Sequence, residues 1–288
     1  MLKKVFSISG LTVALQMAAP AFAIQAQPSG QVQIQAAYVS EAINDHNWLV
    51  QMPNTYIGVS ALESLPSGTF RAHWRAGFEP FADELTLDQQ QMYVQWQQGA
   101  FALWGGELPT LESVLIESEM STLVSAARGG LAVANYIVPT EKKALRADFQ
   151  SNEAVLFTGQ WVFDETKTDQ QWSIGAVVQS PEGSIATTYR QTEAGNNQWG
   201  TRLRWVSGTT TFFAATLYEE SLLAWDVGLQ IQGARAMSFV NYSVDGDEDG
   251  LWRLGLHQNL TQSLINFSEI VWDADANLQW STGFQLKF

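Results

Sequence analysis

Apolar and polar residues alternate position by position along most of this chain. In TFRAHWRAGF, Phe70, Ala72, Trp74, Ala76 and Phe78 share one parity, while Arg71, His73 and Arg75 hold the other. NQWGTRLRWVS sets Trp199, Thr201, Leu203 and Trp205 against Gly200, Arg202 and Arg204, and WDVGLQIQ and LWRLGLHQ repeat the pattern. A helix would space its apolar residues by three and four, so strict alternation predicts strands. Counting back from the C-terminus gives sixteen segments of about ten residues each. They begin near Gln31, Asn54, Gly68, Thr86, Ala100, Ala144, Val155, Gln171, Ser184, Gln198, Thr210, Ala224, Ala236, Leu251, Leu264 and Leu278. The stretch between Leu108 and Lys143 does not read as two strands. It predicts a short helix over residues 111–127, with Thr110 as its cap and Gly129–Gly130 as its stop.

Alternation alone does not say which parity faces inward. A soluble sandwich buries its apolar parity, whereas a transmembrane barrel turns that parity to lipid and lines its lumen with the polar one. Three features favour the barrel. The segments have the length that a tilted strand needs to cross a bilayer. Aromatic residues such as Trp161, Phe163, Trp199 and Trp205 sit at segment ends, where interfacial girdles form. Short and long connections alternate, as in SPEG then TEAGNN, and VSG then EESLLA. The expected fold is therefore an all-β, transmembrane antiparallel barrel of sixteen strands, with fourteen as the alternative.

Composition narrows the class further. The chain of 288 residues has no cysteine, which excludes a disulfide framework or a cysteine metal cluster. Its 29 acidic against 15 basic side chains give −14, which argues against nucleic acid as a partner. Twelve tryptophans exclude a disordered chain, and a charged fraction of 15% is low for a soluble domain. Lys3 and Lys4 precede an apolar run and then PAFA, with Ala21 and Ala23 at the small-residue positions of a cleavage site. Residues 1–23 are expected to be a secretory signal and residues 24–288 the barrel domain. Removing the signal takes away two lysines and no acid, moving the charge from −14 to −16. No stretch after it has the ~18 consecutive apolar residues of a transmembrane helix.

With these segments in place, the chain resembles the general diffusion porins of Gram-negative outer membranes. The likeness runs over the whole mature chain and is sharper in three places. NTYIGVSALESLPSGTFRAHW resembles that family's second strand, turn and third strand. QQQMYVQWQQGAFALWGGEL resembles its fourth and fifth strands, and LRADFQSNEAVLFTGQWVF its sixth and seventh. The C-terminus ends on Phe288, with Leu286, Phe284, Thr282, Trp280 and Leu278 on the same parity. This is similar to the aromatic signal read by the outer-membrane assembly machinery. The resemblance implies residence in the bacterial outer membrane among lipid and lipopolysaccharide, a homotrimer, and no cofactor. It also implies that residues 106–143 form a third outer loop folded into the lumen.

Passage through such a constriction is tuned by fixed charge rather than by covalent chemistry. The loop offers Glu107, Glu112, Glu117 and Glu119, and the facing wall Arg71, Arg75 and Arg146, with Arg202 and Arg204 further round. His73, on the same parity, is expected to be a wall residue. Opposed acid and base would set a transverse field across the lumen, and the acidic excess predicts a modest cation preference. One departure from the family stands out: its second strand often carries inward basic residues, where this chain has Tyr56, Gly58 and Ser60.

Catalytic and metal chemistry find less support. There is no G-x-S-x-G, and only three histidines, His46, His73 and His257. In DGDEDG, Asp245, Asp247 and Asp249 echo the start of a calcium loop, but position twelve is Leu256 rather than glutamate, so no metal site is expected. The alternatives to a porin are a barrel hydrolase of the outer membrane, or an anchoring or adhesion barrel with a closed lumen.

Overall fold

The structure is a computed structural model that describes residues 25–43, 46–52, 55–78, 87–117, 131–163, 171–191, 196–246, 250–273 and 277–288. The expected signal segment, Glu119, Asp247 and Asp249 lie outside these residues. Its first strands are β1 (Gln25–Ile43), β2 (His46–Gln51), β3 (Tyr56–Leu65), β4 (Gly68–Phe78), β5 (Leu87–Gln98) and β6 (Phe101–Pro109). Two short helices follow, α1 (Leu111–Leu115) and α2 (Ala132–Asn135). The remaining strands are β7 (Thr140–Asn152), β8 (Val155–Val162), β9 (Gln171–Ser180), β10 (Gly183–Gln191), β11 (Asn197–Ser207) and β12 (Thr210–Glu219). β13 (Leu222–Gln232), β14 (Ala236–Asp245), β15 (Leu251–Asn259), β16 (Leu264–Trp272) and β17 (Leu278–Lys287) complete the wall.

Every neighbouring pair is antiparallel, and β1 closes the sheet on β17 from Gln31↔Lys287 to Val39↔Gln279. On its other edge β1 pairs first with β3, Gln25↔Leu62 to Gln31↔Tyr56, and then with β2, Gln35↔Gln51 to Tyr38↔Trp48. The register slips by one residue between those two stretches. β2 and β3 are thus one wall strand interrupted at residues 52–55, and the barrel has sixteen wall positions, as the alternation predicts. Closure removes the unpaired edges that an open sheet would expose to lipid.

Several boundaries differ from expectation. β1 starts six residues before Gln31: QAQPSG keeps the alternation, but its proline and glycine read as strand breakers. This extension runs past the end of β17, where proline is tolerated on an edge. The second wall strand starts at His46 rather than Asn54. β7 starts at Thr140, four residues inside the expected insertion. EESLLA is not a long loop, since Glu220 and Ser221 alone join β12 to β13, and Glu220 takes a left-handed φ of 55°.

The outward parity is apolar all round. Ile34, Phe70, Leu103, Phe149, Phe157, Ile185, Leu203 and Leu254 are all exposed on it. Aromatic rings gather on this surface at the strand ends opposite the short turns. Tyr38, Trp48 and Trp280 form one group, Trp172, Tyr189 and Trp199 a second, and Trp225, Tyr242, Trp252 and Trp272 a third. Such a ring suits the membrane–water boundary, where an amphipathic ring keeps one edge wet. No helix among the described residues is long and apolar enough to cross a membrane; the strands make the crossing.

Candidate pore and its inserted loop

The inward parity divides into two kinds of wall. β1 and β17 present Gln31, Gln33, Gln35, Gln279, Ser281 and Gln285. β9 to β14 instead present Val177, Ala186, Phe213, Ala215, Leu217, Ala224, Met237 and Phe239. These apolar side chains would face water if the barrel were empty. The segment between β6 and β7 covers them with Leu115, Ile116, Leu131, Val133 and Ile137. Burying each of these side chains contributes about 1.5–3 kcal/mol. Gly175 and Gly200 make room: a Cβ there would lie 2.6 Å from Leu115 and 2.7 Å from Ile116.

Polar contacts fix the same segment at both ends. At its start, Thr110 caps α1, its hydroxyl accepting from the Ser113 N–H at 3.1 Å and donating to the Val138 carbonyl at 2.6 Å. Glu112, 1% exposed, points at Arg190 of β10 with 3.8 Å between charged atoms. Arg190 also pairs with Glu141 and donates to Gln171 at 2.8 Å. Burial pushes the Glu112 carboxyl above its ordinary range, while its own backbone N–H and Arg190 oppose the shift. At the far end, Asp226 of β13 accepts from the Ala132 and Val133 N–H groups, each at 3.0 Å. Arg253 stands behind Asp226, donating to Ser243 at 2.8 Å and Asn241 at 3.3 Å, and both charged side chains are 1% exposed. Tyr136 donates to Asp245, and the Gln198 amide donates to the Tyr136 carbonyl at 3.4 Å.

β3 to β7 carry a different inward surface. Arg71, His73 and Arg75 of β4 all point into the lumen, and Arg71 is exposed there. The Arg75 guanidinium lies 3.7 Å over the Tyr56 ring. His73 Nδ1 and Ser60 Oγ are 2.8 Å apart, and the imidazole stacks on Tyr93 with centroids 5.0 Å apart. Tyr93 meets Trp104 at 5.3 Å, and Arg146 lies 4.6 Å over Trp104. Asp148 organises this end, pairing with Arg146 at 3.1 Å while accepting from Trp104 Nε1 at 2.8 Å and Thr158 at 2.6 Å.

The residues singled out in the sequence therefore fall into separate places. Arg71, His73, Arg75 and Arg146 share one wall. Arg202 and Arg204 lie across the barrel on β11, where Arg202 donates to the Glu117 carbonyl at 3.4 Å. Glu107, at the end of β6, is 8% exposed, Glu112 is turned to Arg190, and Glu117 is half-buried just after α1. Phe284, Leu286, Phe288 and Trp280 all face outward on the last strand. The helix predicted over residues 111–127 is described as far as residue 117 and stops at Leu115, where Ile116 turns into the space beside Gly200.

Sequence reasoning missed Arg190, Asp226 and Arg253, and also Asp148 and the rings of Tyr93 and Trp104. One signal was available. TTFFAATLYE of β12 is apolar on both parities, which a strand facing open water on one side would not be.

Neither a protein-family profile nor a curated protein sequence matches the chain. Solved structures do. A loop-deletion mutant of OmpT, an outer membrane protein of Vibrio cholerae, aligns with a TM-score of 0.70 at 12% identity, covering 92% of this chain and 100% of that one. Two mutants of Rhodopseudomonas blastica porin each align with a TM-score of 0.70 over the same shares, at 10% and 11% identity. At such identities the likeness is one of fold. A closed, even-numbered antiparallel barrel with an apolar outer belt is an architecture of the bacterial outer membrane, and that is where the chain resides.

Proposed function

We propose that this chain is a general diffusion porin, forming a water-filled channel for small hydrophilic solutes and ions. The observation that carries this reading is the division of the inward surface. The described helices of the inserted segment dock on β8 to β10 and β12 to β14, where Val177, Ala186, Ala215, Leu217 and Phe239 meet them. Among the described residues, neither helix docks on the polar and charged wall of β3 to β7, which we take to line the passage. Fixed charges in such a passage sort solutes without a covalent step.

The preference among ions is the resultant of two arrays. Arg71 and Arg75 favour anions along the wall, and Glu117 opposes them. The acidic excess collects in long connections such as those holding Glu79, Asp83, Glu84, Asp164, Glu165 and Asp169. An acidic excess of this size raises the local cation concentration, giving a modest cation preference that salt screens. The working unit is a homotrimer. On the outer face Ser268, Thr282 and Ala36 stand side by side on three neighbouring strands, small or polar beside the large apolar Leu256, and such a patch suits contact with another copy.

We read the Ser60–His73 contact as part of the wall rather than a catalytic pair. A triad histidine is oriented by a third group, and no carboxylate bonds this imidazole among the described residues. Swelling of proteoliposomes in sugars of rising size tests the channel. Entry that slows steeply with solute size is expected, and no swelling in any sugar contradicts it.

A further inference from the structure

Building on the channel reading, we propose that the wall of β3 to β7 is a stacking subsite for planar aromatic carboxylates in transit. Tyr56, His73, Tyr93 and Trp104 stand on the inward parity of four consecutive wall strands, whereas most aromatic side chains of this barrel face lipid. The inward phenylalanines are buried, Phe213 and Phe239 beneath Leu131 and Phe267 beside His257. The four rings of the β3–β7 wall are instead only half-buried.

Two of the four have their polar edges engaged within the wall. His73 meets Ser60 at 2.8 Å, and the Trp104 N–H is held by Asp148 at 2.8 Å. The orientations of His73 and Trp104 are therefore set before a solute arrives, with Tyr93 packed between them, which lowers the ordering cost of binding. What the wall offers the lumen is aromatic surface and positive charge. Arg71 and Arg75 lie two residues to either side of His73, about 7 Å away along the strand. Neither arginine has a carboxylate partner among the described residues, and the Arg75 Nε is buried without a hydrogen bond. Arg146, by contrast, is neutralised by Asp148.

A solute fits this surface when it has a flat π face to lay against Tyr93 and Trp104 and a carboxylate to reach Arg71 or Arg75. Benzoate is the simplest such molecule. Acetate has the charge without the face. Cyclohexanecarboxylate has the charge and bulk, but a puckered ring that stacks poorly on aromatic faces. A guanidinium fork also suits a carboxylate better than a halide, because it matches the two oxygens. No bond is made or broken, and the subsite converts free diffusion into saturable passage for this one class.

The test is single-channel recording in potassium chloride with benzoate added, each block referred to that variant's own current. Benzoate is expected to reduce the current saturably and cyclohexanecarboxylate to do so far less. Tyr93→Leu and Arg71→Gln should each weaken the benzoate block about fivefold to tenfold. Equal block by the two carboxylates, or a block unchanged in both variants, overturns the subsite while leaving the channel intact. If the folded protein carries no current, the channel reading fails. Titration calorimetry of benzoate on the detergent-solubilised protein then decides separately: binding weakened by Arg71→Gln supports the subsite, and no binding overturns it.

Discussion

Gly30 and Phe288 meet where the barrel closes. The Phe288 N–H donates to the Gly30 carbonyl at 3.1 Å, and the Gly30 N–H donates to the Phe288 carbonyl at 2.8 Å. A Cβ on Gly30 would lie 2.4 Å from the Phe288 ring, so the glycine makes room for the terminal side chain. We expect Phe288→Ala to lower the amount of folded barrel in the outer membrane, as heat-modifiable mobility on gels would report, because the last strand ends on the aromatic that resembles the assembly signal. Normal levels would contradict this. The lumenal arginines give a second expectation at this scale. Removing Arg71 and Arg75 together subtracts two positive charges from the passage, so the reversal potential in a potassium chloride gradient should move toward cation preference, and less so at high salt. An unchanged potential would mean that these side chains do not face the ion path. Parity in the sequence put Arg71, His73, Arg75 and Arg146 on the polar side of their strands, and reading that side as the lumen needed the further case for a membrane barrel. Parity gave no hint that Glu112 would be spent on Arg190, because that contact joins positions 78 residues apart in the chain.

The inserted segment is the element whose placement needed the three-dimensional wall. Its sequence pattern suggests one helix, yet α1 ends at Leu115, and α2 begins only at Ala132, where Asp226 receives its first N–H groups. The apolar residues of both pieces read as a helix stripe, but their partners are wall side chains such as Ala215 and Leu217. Asp226→Ala is expected to loosen this attachment. It leaves two buried N–H groups without acceptors, at about 1–3 kcal/mol each, and removes one of the two carboxylates that favour the charge on Arg253. Current traces of the variant should show more open-channel noise, with protease cleavage within residues 110–139 faster than in the parent. Identical noise and cleavage would contradict a latch at Asp226.

At the scale of the whole molecule, alternation carried most of the fold. Counting β2 and β3 as one wall strand, thirteen of the sixteen expected segment starts lie within three residues of a wall-strand start. The three larger misses, at β1, at the strand broken into β2 and β3, and at β7, lie at a proline and glycine, at a register slip and at the inserted segment. Periodicity sees each strand alone, whereas the bulge between β2 and β3 is set by pairing with β1. The passage itself was legible only in outline, because its width depends on which wall the inserted segment covers. Conductance of the purified, folded protein in planar bilayers bears on that passage most directly. Discrete, long-lived, ohmic steps that grow with potassium chloride concentration are expected from a water-filled lumen, and a folded barrel that inserts without any steps would contradict it.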